Sequence, residues 1–118
     1  KVMAPQKDVL QLLHDASILL VTSRWEGLPM VVLEAYAAAT PVAGVGVPGL
    51  FDLIENENTG LVLDPENAEE AATRLLDLLD DTERCNKFTN NALESTRKYE
   101  AGVVGAKFGQ LCERLLEK

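Results

Sequence analysis

The residue types best suited to chemistry lie together in Glu26-Gly27-Leu28-Pro29-Met30-Val31-Val32-Leu33-Glu34. Two carboxylates bracket a glycine and a proline. Proline is favoured at the first helical position, where its missing N–H costs nothing, so a helix is expected over residues 29–39. The first turn of a helix has N–H groups without partners and about half a positive charge. Such an end takes phosphate readily. Gly27 lets the backbone come close to a ligand. Glu34 lies five residues past Pro29, roughly 7.5 Å along the axis at ~1.5 Å per residue. That matches the span from a diphosphate to the ribose that carries it. A carboxylate accepts through two oxygens, enough for both ribose hydroxyls. Glu26 precedes the helix and falls on the other side of the phosphates. The order therefore suits a nucleotide-sugar: sugar, diphosphate, ribose.

Plainer readings exist for both acids. Glu26 can simply complement the helix dipole. Glu34 sits in a helix that is otherwise Met, Val, Leu, Ala and Tyr. An unpaired charge is costly to bury, so Glu34 needs a ligand, Arg24 or a backbone group as partner.

The elements that must position these residues follow from periodicity and turn signals. Residues 2–4 read as a strand end stopped by Pro5, and residues 7–15 as a short helix. Residues 18–21 are a continuous aliphatic run, the mark of a parallel strand buried on both faces. Residues 23–28 form a loop. Residues 41–43 read as a strand, followed by a loop with glycines at 44, 46 and 49, and residues 50–54 as a short helix. Residues 60–63 form a strand ended by Asp64-Pro65. From Asn67, apolar residues at 68, 71, 72, 75, 76 and 79 make a helical stripe. Asn67 with Glu70 resembles a capping box. Thr82 opens a helix with Cys85, Phe88 and Ala92 on one side, and a last helix carries Val104, Phe108, Leu111, Cys112 and Leu115. These later stripes read as core.

Strands alternating with helices imply an α/β fold with a parallel sheet. Four readable strands suggest the latter half of a doubly wound, Rossmann-like domain. Ligands sit beyond the carboxyl ends of such strands, which directs attention to loops 5–7, 23–28, 44–49 and 64–66.

Composition removes several classes. The chain has 118 residues, 47% of them hydrophobic, too many for disorder. Eleven Lys and Arg against 19 Asp and Glu leave a formal charge of −8, which repels nucleic acid. Cys85 and Cys112 make no disulfide framework and are expected in the core. No apolar run approaches the roughly 20 residues of a spanning helix. The chain begins at Lys1 without a signal peptide, and we expect one truncated domain, residues 1–118, of a longer protein.

Other signals compete weakly. Gly44-Val45-Gly46-Val47-Pro48-Gly49 formally fits GxGxxG after a strand, with Asp64 placed 20 residues past Gly44. That pattern imitates a dinucleotide fingerprint and keeps an oxidoreductase fragment open, although the following helix looks too short to cross back over a sheet. His14 reads as an ordinary helix-end residue, and one His with two distant Cys makes no zinc set. Trp25 is expected to pack within its loop. Between Asp52 and Glu83, eleven acids face only Arg74, which reads as a solvated face. A non-catalytic nucleotide-binding or interaction module is the remaining alternative.

Ser23-Arg24-Trp25-Glu26-Gly27-Leu28-Pro29 leading to Glu34-Ala35-Tyr36-Ala37 fits Ser-x-x-Glu-Gly, then Glu-x7-Glu, then Ala-x-Ala. The fit continues through Thr40-Pro41-Val42, Gly49-Leu50-Phe51-Asp52-Leu53-Ile54, Asn58-Thr59-Gly60-Leu61-Val62 and Asp64-Pro65. Over roughly residues 8–80 the sequence resembles the family 4 glycosyltransferases, of the GT-B fold. The resemblance implies that Glu34 holds the ribose hydroxyls. It implies that Glu26 is the catalytic-side acid touching the donor sugar. The amides of Gly27, Leu28, Met30 and Val31 would face the phosphates, and Ala4-Pro5 the nucleobase. It further implies retaining transfer from a nucleotide-sugar donor, with no obligatory metal and no cofactor. The acceptor, a sugar or a lipid, would be bound by an N-terminal domain absent from this chain. The parent protein would be cytoplasmic, with any membrane association carried by parts outside this chain, and the fragment alone would be inactive. The family usually has Gly where Ala39 stands, so the helix end is expected to differ. Phe51 and Asp52 replace its usual Pro and Glu, and its upstream basic residues are absent.

Overall fold

The computed structural model describes residues 3–55 and 58–117. Its elements run α1 (Val9–His14), β1 (Leu19–Val21), α2 (Met30–Ala37), β2 (Val42–Val45), α3 (Leu50–Leu53), β3 (Leu61–Leu63), α4 (Ala68–Asp80), α5 (Thr82–Ser95), a 3₁₀ turn (Thr96–Tyr99) and α6 (Ala101–Leu116). The strands form one parallel sheet in the order β1-β2-β3. Leu20 pairs with Ala43, and Gly44 with Val62. Helices cover both faces. Val32, Ala35, Tyr36, Val42, Leu50, Leu53 and Ile54 share one buried cluster. Ala43, Leu61, Leu63, Leu78 and Phe88 form the other, beneath α4 and α5. The architecture is thus the partial doubly wound α/β sheet expected from the sequence.

Three strands appear among the described residues, not four. Met3 and Ala4 are exposed and outside any strand, and Val2 lies outside the described residues. β1 is an edge strand, and Leu20 is 42% exposed. An aliphatic run therefore did not mean burial on both faces, because Leu20 lines an open cleft. β2 runs on to Val45 and takes in Gly44, which had been expected in the loop. A Cβ there would come within 2.9 Å of Ile54 Cδ1, so the glycine lets the α3 segment sit close to the sheet.

Capping chemistry explains most helix starts. Asp8 Oδ1 accepts from the Gln11 amide at 2.9 Å, Asn67 Oδ1 from Glu70 at 3.0 Å, and Asp81 Oδ1 from Arg84 at 2.9 Å. The Asn67–Glu70 pair departs from the usual box in one respect. Glu70 Oε2 accepts from the Asn67 side-chain amide, at 3.0 Å. Arg74 Nη1 donates to Val62 O at 3.0 Å and ties α4 to β3.

The end of α2 keeps the geometry that the alanine made doubtful. Ala39 has φ 56°, in the left-handed region. Its amide donates to Tyr36 O at 3.2 Å, and the Thr40 amide to Ala35 O at 2.9 Å, which is a Schellman closure. Thr40 Oγ1 then donates to Leu13 O at 2.7 Å, joining α1 to α2. Tyr36, 1% exposed, donates to Leu53 O at 3.1 Å, while Thr59 Oγ1 lies 3.0 Å from its oxygen. Tyr36 has a single O–H, committed to Leu53 O, so Thr59, whose Oγ1 accepts from the Glu55 amide at 2.9 Å, donates to Tyr36.

The last helix departs from expectation. Val104, Phe108, Leu111 and Leu115 on α6 are all exposed, Phe108 by 66%. α6 packs mainly on the 3₁₀ turn and stretches the molecule to 54 Å. Periodicity reported an amphipathic helix correctly but could not report whether anything covers it. Cys112 rides on this helix, half-buried and free, outside both core clusters. Cys85 does pack against the second cluster, its Sγ 3.2 Å from Leu78 O, and burial pushes its thiol pKa up. The described acids between Asp52 and Glu83 are all exposed, as a solvated face should be, and Glu57 lies outside the described residues.

Two outcomes are expected. Ala39→Gly relieves the left-handed strain and stabilises the chain by about 1 kcal/mol, read as a higher midpoint in urea unfolding. Burial pushes the Tyr36 phenol up to about 12, against about 10 unfolded. The folded chain then keeps a proton that the unfolded chain releases. Stability is full below about pH 10 and falls as pH rises toward 12, by up to about 1.4 kcal/mol per unit. Tyr36→Phe removes that slope and costs about 1–3 kcal/mol at neutral pH, since Thr59 and Leu53 O lose a buried partner. Urea titrations at neutral and alkaline pH measure both.

Candidate functional site

α2 begins without a side-chain cap. Pro29 is the capping residue, with φ −71° and ψ 99°, so it stands one place before the expected first helical position. Its extended ψ turns the chain sharply from the loop into the helix. The Val32 amide closes onto Pro29 O at 3.0 Å. The amides of Gly27, Leu28, Met30 and Val31 have no hydrogen-bond partner among the described residues. Four donors thus stand unused at the positive end of an eight-residue helix.

The flanking side chains divide by depth. Val31 is half-buried and packs against the first core cluster, so its amide alone is available. Gly27, Leu28 and Met30 are exposed. Glu26 and Glu34 are both half-buried. Neither carboxylate makes a hydrogen bond or ion pair among the described residues, and Arg24 does not pair with Glu34. The plainer reading of Glu34, as a carboxylate neutralised within the fold, thereby loses its partner. Ala4 and Pro5 are exposed in an irregular segment. Trp25 is 88% exposed, contrary to the expected packing within its loop, whereas the backbone of the two residues after it meets another part of the chain.

That part is the loop after β2, whose contact with the site was missed in the sequence. Gly49 is buried at φ 88°. A Cβ on it would fall 2.5 Å from Gly27 O and closer still to Glu26 O. The recognisable signal was Pro48-Gly49 before a helix, a turn that needs positive φ. The GxGxxG reading has little geometric support. The following helix α3 has four residues, and Gly44 lies inside β2. His14 ends α1, exposed, 3.5 Å from Asp15.

A cleft of about 710 Å³ lies beside three of the loops that the sequence singled out, with Ser23, Arg24, Val47 and Asp64 in its lining along with Leu63 and Leu75. It borders the second core cluster and takes no residue from α2. Its lining is largely aliphatic and includes no residue of the Glu26–Glu34 stretch, so this cleft and the two candidate acids do not coincide.

Comparison with known proteins decides the family. The profile described as "Glycosyl transferases group 1" matches residues 3–95. The chain belongs to that family. As a group 1 glycosyltransferase chain it is 27% identical over 115 residues to a D-inositol 3-phosphate glycosyltransferase of Thermobispora bispora, covering 98% of this chain and 27% of that protein. It superposes on sucrose-phosphate synthase from Thermosynechococcus elongatus with TM-score 0.80 and 28% identity, over 98% of this chain and 30% of the other. It shares its fold with HepE of Anabaena, whose crystal structure is a complex with UDP-glucose (TM-score 0.78, 23% identity, 96% of this chain and 31% of that one). These neighbours are GT-B glycosyltransferases. The group 1 chain spans under a third of the length of each of the three. None of its described helices is long and apolar enough to cross a membrane.

The unpaired Glu34 yields a stability test. A leucine at this half-buried place buries apolar area and gives up no hydrogen bond or ion pair made among the described residues. Glu34→Leu is therefore expected to raise the melting temperature of the ligand-free chain, by about 0.5–1 kcal/mol in stability. A clear fall in calorimetry would assign the carboxylate a structural role instead.

Proposed function

We propose that this chain is the donor-binding part of a retaining, family 4-type glycosyltransferase, and that the nucleoside diphosphate of a nucleotide-sugar rests on the amino end of α2. The observation that carries the reading is the pairing of four unused amides at that end with two unpaired, half-buried acids. Amides and helix dipole suit the diphosphate. Glu34, one and a half turns along, accepts from the ribose hydroxyls. Glu26 is the acid on the sugar side and the one placed to serve the transfer itself. The proposed nucleobase contact is the exposed backbone of Ala4 and Pro5. The chemistry asked of these residues is binding and orientation, so neither a metal nor a cofactor is required.

The acceptor and the basic groups that clamp the diphosphate belong to the remainder of a longer protein, and the fragment alone is inactive. Three exposed apolar surfaces support a larger parent: the open edge of β1, the cleft beside α4 and the stripe on α6. Contiguous apolar surface of this kind marks an interface. We place the parent in the cytoplasm, with any membrane contact made by its other parts.

UDP, GDP or ADP titrated into the ¹⁵N-labelled chain is expected to move the amide signals of Gly27, Leu28, Met30 and Val31 and to leave Gly44 and Gly46 nearly unchanged. Movement of the glycine loop by NAD would favour the oxidoreductase alternative. Glu34→Gln is expected to weaken nucleotide binding about tenfold, the worth of a charge-assisted hydrogen bond. Equal affinity in variant and parent would remove Glu34 from the ribose.

A further inference from the structure

We propose that Gly49 is a positioning residue for the donor diphosphate, acting through the backbone of the Glu26–Leu28 segment. This inference rests on the donor-site reading above and goes beyond it, to the device that aims the amides.

The hydrogen of Gly49 that a side chain would replace points at two carbonyl oxygens, those of Glu26 and Gly27. A Cβ would meet both oxygens far inside van der Waals contact, so the loop can approach only because residue 49 has none. In a trans peptide the C=O and the N–H point in opposite directions, and every described peptide bond is trans. Carbonyls of the Glu26–Gly27 and Gly27–Leu28 units that face Gly49 therefore send the Gly27 and Leu28 N–H groups the other way. Those two amides are among the four without partners, on exposed residues. The contact on one side of the loop thus fixes the donors on the other.

The supporting loop is itself held on three sides. The Gly46 amide donates to Leu63 O at 2.8 Å, anchoring the loop to the end of β3. Val47 O accepts from both the Leu50 and Phe51 amides at 3.2 Å. Leu50, next in sequence to Gly49, is 1% exposed in the first core cluster. Gly49 is thus a fixed point against which the Glu26–Leu28 backbone takes its orientation. Preorganised dipoles of this kind are what phosphate binding uses, since they need no reorganisation when the ligand arrives.

The test compares Gly49→Ala with Gly60→Ala. Gly60 is also buried, and a Cβ on it would crowd Val42 O at 2.7 Å, away from the site. Both variants are expected to lower the melting temperature. Gly49→Ala alone is expected to shift the ligand-free ¹⁵N signals of Gly27 and Leu28 and to weaken UDP binding about tenfold. Parent-like signals and UDP affinity in Gly49→Ala would overturn the proposal, and so would an equal loss of UDP affinity in Gly60→Ala. If Gly49→Ala does not fold, Pro48→Gly decides. It adds no atoms, loosens the loop, and is expected to shift the same two amides and weaken UDP binding; unchanged values overturn the proposal. A parent chain that ignores UDP would overturn the donor-site reading. The ligand-free Gly27 and Leu28 signals would still report whether Gly49 aims the loop.

Discussion

Helix α2 is held from behind, and its first turn is left without a side-chain cap. A first turn that offers its amides to a ligand cannot spend them on a capping side chain, and Pro29 supplies no such cap. The helix is therefore secured by its flank and its far end. Val32, Ala35 and Tyr36 are buried. The Tyr36 hydroxyl joins Leu53 O and Thr59 in a satisfied network, which strengthens in a low-dielectric interior. The Schellman closure at Ala39 and the Thr40 bond to Leu13 O complete the attachment. Left-handed strain at an alanine is tolerable there because it satisfies carbonyls that would otherwise be orphaned.

The same division runs through the sheet. The cluster around α2 and α3 holds the helix whose first turn is uncapped, whereas the cluster under α4 and α5 braces the other face. At the front of α2 lie an uncapped helix end, two acids without a hydrogen-bond or ion-pair partner among the described residues, and an exposed tryptophan. Local choices that disagree with stability are expected where a ligand completes the environment. The positive φ at Gly49 is one that a glycine adopts readily, and it brings this loop against the 26–27 backbone.

Much of this was legible in the sequence. Glycine and proline punctuation marked the loops, and aliphatic runs marked the three strands that form, because both act through neighbouring residues. The capping pair Asn67 and Glu70 was readable for the same reason. The candidate acids were legible as well, since a carboxylate in an apolar helix stands out by type alone. Contacts between distant segments were not. The Tyr36 hydroxyl meets Thr59, which is 23 residues away, and Gly49 meets the 26–27 backbone across another helix. Exposure was equally hidden. Leu20 and the stripe on α6 have core-like patterns yet remain open, because burial depends on what lies opposite.

The sequence by itself determined the element types, the parallel α/β class and the acids at positions 26 and 34, through short-range sterics, capping and hydrophobic period. Only the tertiary structure decided that those acids have no partner among the described residues, that Ala39 adopts the left-handed conformation, and that the second loop presses on the first. Each of these is a relation between parts of the chain that local propensity does not encode. It is set by packing, where an atom's worth depends on its neighbour across space.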